Sequence, residues 1–287
     1  MRLYIITGRS GSGKSTVLHA LEDEGFMCID NFPASLLEKF VEDTSEEQTT
    51  QDFAVSIDAR SPPTALDQLP NILKSVARVD FTPRVIYLDA SGPVLVKRFS
   101  ETRRRHPLEK IETDLRQAID LESKLLRHLA EMADLKIDTT QWSTHDLVLM
   151  TKERLVDVDE RSVSLLFRSF AYRSGVPVDA DFVFDLRCLP NPHWEAELRE
   201  LSGLDEPVKE FFAKHQIVDQ MHSQIVGFLH QWLPEFERQN RVYMTVATGC
   251  TGGRHRSVYM AERLASSFRD AYPNVLVRHR EQHEPIS

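Results

Sequence analysis

The chain has 287 residues, 41% of them hydrophobic and 28% charged, and carries a net charge of -9 at pH 7. That length leaves room for about two packed domains, and the acidic total repels nucleic acid, so any RNA contact must come from a local basic patch. Cys28, Cys188 and Cys250 are scattered with no C-x-x-C, which argues against a disulfide scaffold or a structural zinc site and for reduced thiols. No apolar run reaches membrane-spanning length and the N-terminus lacks the features of a signal peptide, so a cytoplasmic protein with no membrane contact is expected.

Residues 3–6 read as a buried strand that breaks at Gly8 into a glycine-rich loop and opens an amphipathic helix over 15–24. The loop matches G-x-x-x-x-G-K-[ST] at every fixed position, from Gly8 to Ser15. Gly8, Gly11 and Gly13 let backbone N–H groups turn onto phosphate oxygens, Lys14 reaches toward the β/γ-phosphates, and Ser15 is suited to ligate Mg²⁺. A second strand is expected within 26–33, ending in Asp30-Asn31-Phe32-Pro33; Asp30 and Asn31 either contact a ligand at the strand's carboxyl end or cap the next helix. Residues 42–52 are acidic and read as an exposed loop or a frayed helix end.

The apolar runs 53–58 and 84–89 each end in an aspartate, as a strand does that holds Mg²⁺ near phosphates. Of Asp58 and Asp89 we favour Asp58, because Arg60 follows it and can meet a phosphate or ribose; Ser15 and Asp58 are therefore the expected metal ligands. Arg103 to Arg105 resemble the arginine lid of small P-loop kinases, a solvated basic face being the alternative. One helix is expected over 111–132, a last strand over 133–140 and a closing helix over 145–156. Strands alternating with helices predict an α/β domain with a P-loop kinase-like parallel sheet over 1–156.

Residues 157–161 are polar and mark the boundary with a second α/β domain over 162–287. Strands are expected over 163–172 and 181–190, the latter running into Asn191-Pro192-His193-Trp194, a loop placed where ligand sites occur. A helix or helix pair follows over 207–236, with Trp232 and Phe236 read as packing. Then residues 242–257 again take a strand into a glycine-rich loop at a helix N-terminus, Gly249-Cys250-Thr251-Gly252-Gly253-Arg254-His255-Arg256-Ser257. Loop amides, the helix dipole and Arg256 make an anion site, a phosphate-binding loop without the lysine. The Cys250-x5-Arg256 spacing is also that of cysteine-dependent phosphatases, although Gly249 stands where those enzymes carry His. A final strand over 274–280 adds Arg278 and Arg280 to Arg254, Arg263 and Arg269, a modest basic supply hidden by the net charge.

Gly8 to Ser15, Asp30-Asn31, Val55 to Arg60, Thr102-Arg103-Arg104 with His106-Pro107-Leu108, Leu189 to Trp194 and Gly249 to Ser257 together resemble the RapZ/YvcJ family of nucleotide-binding proteins over both halves of the chain. The resemblance implies ATP bound at Gly8, Arg9, Ser10, Gly11, Ser12, Gly13, Lys14 and Ser15, and a second contact, assigned to GTP, at Asp58, Ala59, Arg60 and Ser61. It also implies a C-terminal domain that binds RNA and a sugar phosphate, with the pocket at Asp185, Arg187, His193, Cys250, Thr251, Gly252, His255 and Arg256. Arg269, Arg278, His279 and Arg280 are the candidates for RNA contact. In one branch of the family the role is that of an RNase adapter, which presents small regulatory RNA to RNase E in response to glucosamine-6-phosphate and assembles as a homotetramer. This chain departs from the branch's lysine-rich tail, running Glu281-Gln282-His283 after Arg280, which weakens backbone-phosphate contacts. The rival expectation is a P-loop small-molecule kinase or nucleotide hydrolase acting on a phosphorylated metabolite.

Overall fold

The computed structural model describes residues 1–46, 51–77, 82–102, 105–109, 114–156 and 163–282. The chain divides into two compact units, Met1–Asp157 and Val158–Ser287. Among the described residues no helix is long and apolar enough to cross a membrane.

The first unit runs β1 (Arg2–Gly8), α1 (Lys14–Asp23), β2 (Met27–Ile29), α2 (Leu37–Glu46), β3 (Phe53–Ser56), α3 (Pro63–Val76), β4 (Thr82–Asp89), α4 (Gly92–Thr102), α5 (Leu115–Leu125), α6 (Arg127–Met132), β5 (Leu135–Asp138) and α7 (Thr144–Thr151). Its five strands lie in the order β2-β3-β1-β4-β5, all parallel. A sheet covered on both faces calls for uninterrupted apolar strands, and β1 is buried from Leu3 to Gly8. With β3 on one side of β1 and β4 on the other, the chain leaves β1 at the point where the strand order reverses, and a crevice opens there at the carboxyl ends. The end of the unit is fastened back to β1: the Tyr4 hydroxyl donates to the Leu155 carbonyl at 2.8 Å and Arg2 donates to the Leu155 and Val156 carbonyls at 3.1 Å.

Two sequence expectations change. The helix expected over 111–132 is two helices, α5 and α6, because Leu126 adopts ψ near 1° and interrupts the ladder. The bend keeps Leu126 and Leu129 in the same core as Ala118 and Ala133. In the acidic stretch the helix reaches Glu46, while residues 47–50 lie outside the described residues, as do Arg103 and Arg104 of the expected lid.

The second unit runs β6 (Ser164–Ala171), β7 (Phe182–Asp185), α8 (Glu206–Ala213), α9 (Gln216–Arg238), β8 (Tyr243–Cys250), α10 (Arg256–Phe268) and β9 (Asn274–His279). Its sheet is again parallel, in the order β7-β8-β6-β9. The region 207–236 is thus a helix pair. Trp232 is partly exposed on α9, its ring 6.4 Å from Phe228, while Phe236 packs against the core. The central strand β6 is buried throughout and carries one charge inward, Arg168, which donates to both carboxylate oxygens of Asp179 at 2.7 and 2.8 Å.

Removing one partner of a buried ion pair strands the other charge. Asp179→Ala is therefore expected to lower the stability of the second unit by about 3–5 kcal/mol, read by chemical denaturation, while nucleotide affinity in the first unit stays at the wild-type value.

Candidate nucleotide cleft and second anion loop

Gly8 ends β1 with φ 132° and lies so close to β4 that a Cβ there would stand 1.9 Å from the Leu88 carbonyl oxygen. The loop that follows ends at Gly13, and no side chain caps α1, which leaves its first N–H groups and the positive end of the helix dipole for an anion. Lys14, 8% exposed, folds back over the loop and donates to the carbonyls of Gly8 at 2.8 Å and Arg9 at 3.2 Å. Burial pushes its ammonium below the ordinary lysine value, against the pull of the Glu122 and Asp58 carboxylates. Ser12 lines the same cleft with a buried hydroxyl that has no partner among the described residues.

The cleft encloses about 680 Å³ and is lined by Ser10 to Thr16, Asp30, Asn31, Asp58, Arg60, Arg98, Arg105 and Thr139, among others. Asp58 is nearly buried and accepts from the Arg60 amide at 3.0 Å; the Arg60 guanidinium bonds Asn31 and stands 3.9 Å from Asp58. Asp89 is instead engaged by the Arg9 side chain at 2.6 Å and by the Ala90 amide, and is not among the residues lining the cleft. Ala59 is buried and the Ser61 amide closes a turn onto the Asp58 carbonyl, so of residues 58–61 the cleft takes Asp58 and Arg60. Arg98 and Thr139 brace the loop, donating to the carbonyls of Gly11 and Ser12 at 2.9 Å. Nucleotide phosphates fit this site: amides and a cation along one wall, with the Ser15 hydroxyl and the Asp58 carboxylate supplying the oxygen ligands that Mg²⁺ takes.

Sequence periodicity missed one member. Glu122 of α5 is 0% exposed and accepts from the Ser10 amide at 2.8 Å, the Ser10 hydroxyl at 2.7 Å and His106 Nε2 at 3.1 Å. Burial opposes its charge, but the bonds from His106 and Ser10 and the Lys14 charge outweigh that and hold the carboxyl below its ordinary value. A glutamate in an amphipathic helix gives no sign of this; only its place within the apolar stripe between Ala118, Ile119 and Leu126 does.

In the second unit β8 delivers buried Cys250 to the loop, and α10 starts at Arg256. A Cβ at Gly249 would stand 2.4 Å from the Phe170 ring and 2.6 Å from that of Tyr172, so this position has no space for the His of a cysteine phosphatase. Cys250 Sγ accepts from the Gly253 amide and pairs with the Ser257 hydroxyl, each at 3.2 Å. Arg256 donates to the carbonyls of Arg187 at 2.9 Å and Leu189 at 3.1 Å and approaches the Thr251 hydroxyl at 3.4 Å, while its buried Nε has no partner among the described residues. Asp185 accepts from Arg187, which also lies 3.9 Å over the Tyr172 ring; the Arg187 bonds, aided by Arg256, hold the Asp185 carboxyl low. Asp185, Arg187, Thr251 and Arg256 are thus brought together, with Gly252 half-buried in the loop between them.

The remaining candidates spread out. His255 Nε2 donates to the Leu198 carbonyl at 3.0 Å, and burial holds that imidazole below its ordinary value, with His193 close enough to add to the effect. His193 itself is exposed beside Trp194. Of the RNA candidates, Arg269 and Arg278 are exposed, His279 bridges Ser169 and Glu262, and Arg280 donates to the Ser174 and Gly175 carbonyls. Glu281 lies against Gly253 with both carboxylate oxygens buried.

A strand, phosphate loop and helix feeding a parallel sheet, with Lys14 and Asp58 in one cleft, define a P-loop nucleotide-binding protein that carries a second α/β unit. Residues 1–158 match the model of the RapZ-like N-terminal domain and residues 163–283 that of the RapZ C-terminal domain. The chain belongs to the RapZ family of nucleotide-binding proteins. It is 51% identical to a nucleotide-binding protein of Nitrosococcus oceani, over 98% of this chain and 99% of that one, and 50% identical to one of Pseudomonas putida strain GB-1, over 98% and 100%. Weaker likenesses reach a shikimate kinase from Acinetobacter baumannii in complex with shikimate (20% identity, 52% of this chain, 88% of that one, TM-score 0.35) and an unliganded sugar kinase from Janibacter (16% identity, 53% and 92%, TM-score 0.34).

Lys14→Ala is expected to lower nucleotide affinity by about 100-fold, the worth of one or two hydrogen bonds to a charged group, in a fluorescent-nucleotide titration. In the wild-type protein affinity falls as pH rises, and because burial holds Lys14 below the ordinary lysine value the fall begins before a solvated lysine would titrate.

Proposed function

We propose that this protein is an RNase adapter. The first unit binds ATP or GTP with Mg²⁺ held between Ser15 and Asp58. The second unit binds small regulatory RNA, guides its processing by RNase E, and senses a sugar phosphate such as glucosamine-6-phosphate at Asp185, Arg187, His193, Thr251, Gly252, His255 and Arg256, with Cys250 beneath them. The observation that carries the reading is the second loop: a strand-to-helix turn with Arg256 buried at its base, in a chain that both RapZ domain models match. Asp58 and Arg60 line the same cleft as the phosphate loop, which favours ATP and GTP as alternative occupants rather than neighbours.

Each part has a physical role. The loop amides and Lys14 bind the nucleotide phosphates, and Asp58 and Ser15 orient the metal that neutralises them. Arg256 is held by two carbonyls and presents a fixed cation at a helix N-terminus, which suits recognition of a phosphate monoester. Exposed Arg269 and Arg278 supply sequence-independent contact with RNA phosphates, and Glu281 in place of a cationic tail residue makes that contact modest and its salt dependence shallower. The family's homotetramer would multiply such weak contacts.

Filter binding of a structured small RNA to the full chain checks the reading, with and without glucosamine-6-phosphate and with Arg256→Ala alongside. Submicromolar binding that the sugar phosphate competes away, with competition lost in the variant, is the expected result. Absence of RNA binding at moderate salt, together with ATP-dependent phosphorylation of a small metabolite, transfers the protein to the kinase reading.

A further inference from the structure

The peptide group between Arg9 and Ser10 is held from both sides. Its carbonyl accepts from Lys14 at 3.2 Å and its N–H donates to Glu122 at 2.8 Å. Glu122 also accepts from His106 Nε2, and His106 Nδ1 accepts from the Leu108 amide at 3.2 Å, so the two ring nitrogens serve as donor and acceptor to different segments. His106 is 2% exposed and packs on the Phe99 ring at 5.1 Å, while its neighbours Arg105 and Pro107 line the nucleotide cleft and Leu108 is in the core.

We infer that Glu122 is a positioning residue that pins the phosphate loop to the 105–109 segment, so that nucleotide bound in the loop also fixes Arg105 and Pro107 at the cleft. The inference rests on the nucleotide reading of the cleft and goes beyond it by assigning the coupling. If packing were the only role of position 122, an apolar residue would serve, because burying a carboxylate carries a desolvation cost that only bonds and charges placed around it offset. What the carboxylate adds is several acceptor sites on one rigid group, enough to take loop and segment together. When Lys14 leaves the Arg9 carbonyl for a phosphate oxygen, one hold on the peptide is released and Glu122 keeps the other. The loop then does not collapse as its cation swings, and the hold extends through His106 to the segment that carries Arg105.

Hydrogen exchange of the full chain, with and without Mg-ATP at a concentration set by titration, tests the coupling. In the wild-type protein nucleotide is expected to slow exchange both at 8–15 and at 105–109, with the Glu109 amide, which donates to the His106 carbonyl at 3.0 Å and keeps that acceptor in side-chain variants, as the reporter. His106→Phe keeps the ring packing and removes the donor. It is expected to bind nucleotide within about threefold of wild type and to retain slowing at 8–15, but to lose it at 105–109; His106→Gln, which can again donate to Glu122, restores it. Glu122→Met cuts the same tie from the other side and must lose the same slowing, which keeps the test decisive should the His106→Phe protein not fold. Nucleotide-dependent slowing at 105–109 that survives either cut overturns the proposal, as does a wild-type protein that binds nucleotide with no change there. Failure of the wild-type protein to bind nucleotide instead removes the reading of the cleft.

Discussion

The first unit depends on how β1 passes the chain to α1. Gly8 is pressed against the Leu88 carbonyl of β4, and from there the backbone turns through positive φ at Gly11 and Gly13 before α1 begins. A side chain at Gly8 would push the central strands apart, and a standard turn would leave the helix N-terminus away from the sheet edge. The constraint is steric, and its product is electrostatic: an uncapped helix end, a row of amides and a lysine, all at the reversal point of a parallel sheet. The braces from Arg98, Thr139 and Glu122 hold that product in place through the Gly11 and Ser12 carbonyls and the Ser10 amide.

Charge in this cleft is arranged in opposition. Lys14 is buried enough to lose part of its hold on the proton, and the Glu122 and Asp58 carboxylates restore only some of it. Neither carboxylate is paired with Lys14 in a direct salt bridge; its donors go to carbonyls. A cation held by neutral acceptors in a field of nearby negative charge is easier to draw onto a phosphate than one locked to a carboxylate. Asp89 shows the alternative, since the Arg9 guanidinium engages it directly and it serves as a strut.

Much of this was legible from residue identities alone. The phosphate loop announced itself because each position requires a particular residue, and strand, loop and helix followed in the right order. The choice between Asp58 and Asp89 was only narrowly legible, through Arg60 two residues past Asp58, because both close an apolar strand; what occupies Asp89 is Arg9, a variable position of the loop, and nothing in the sequence signals that contact. The break at Leu126 was hidden by leucines at helical spacing on both sides of it. Glu122 and His106 were invisible as partners, because a buried polar network joins residues distant in sequence and leaves no period. In the second unit the loop was legible as an anion site, but the commitment of Arg256 to the Arg187 and Leu189 carbonyls depends on how β7 turns after Asp185.

The two loops share an outline and differ in how the cation is held, and that difference sets what each can report. In the first, the cation comes from within the loop on a flexible stem and rests on the loop's own carbonyls, so an arriving phosphate changes its partners and the loop must be steadied from behind. In the second, the cation is an arginine whose fork is anchored to two carbonyls of another segment before any ligand arrives. Nη1 makes both of those bonds, which orients the guanidinium plane and leaves Nη2 directed to the Thr251 side of the loop. A nucleotide cleft whose cation changes partners and a second loop whose arginine is fixed in advance agree with the proposed combination of two chemical signals in one chain.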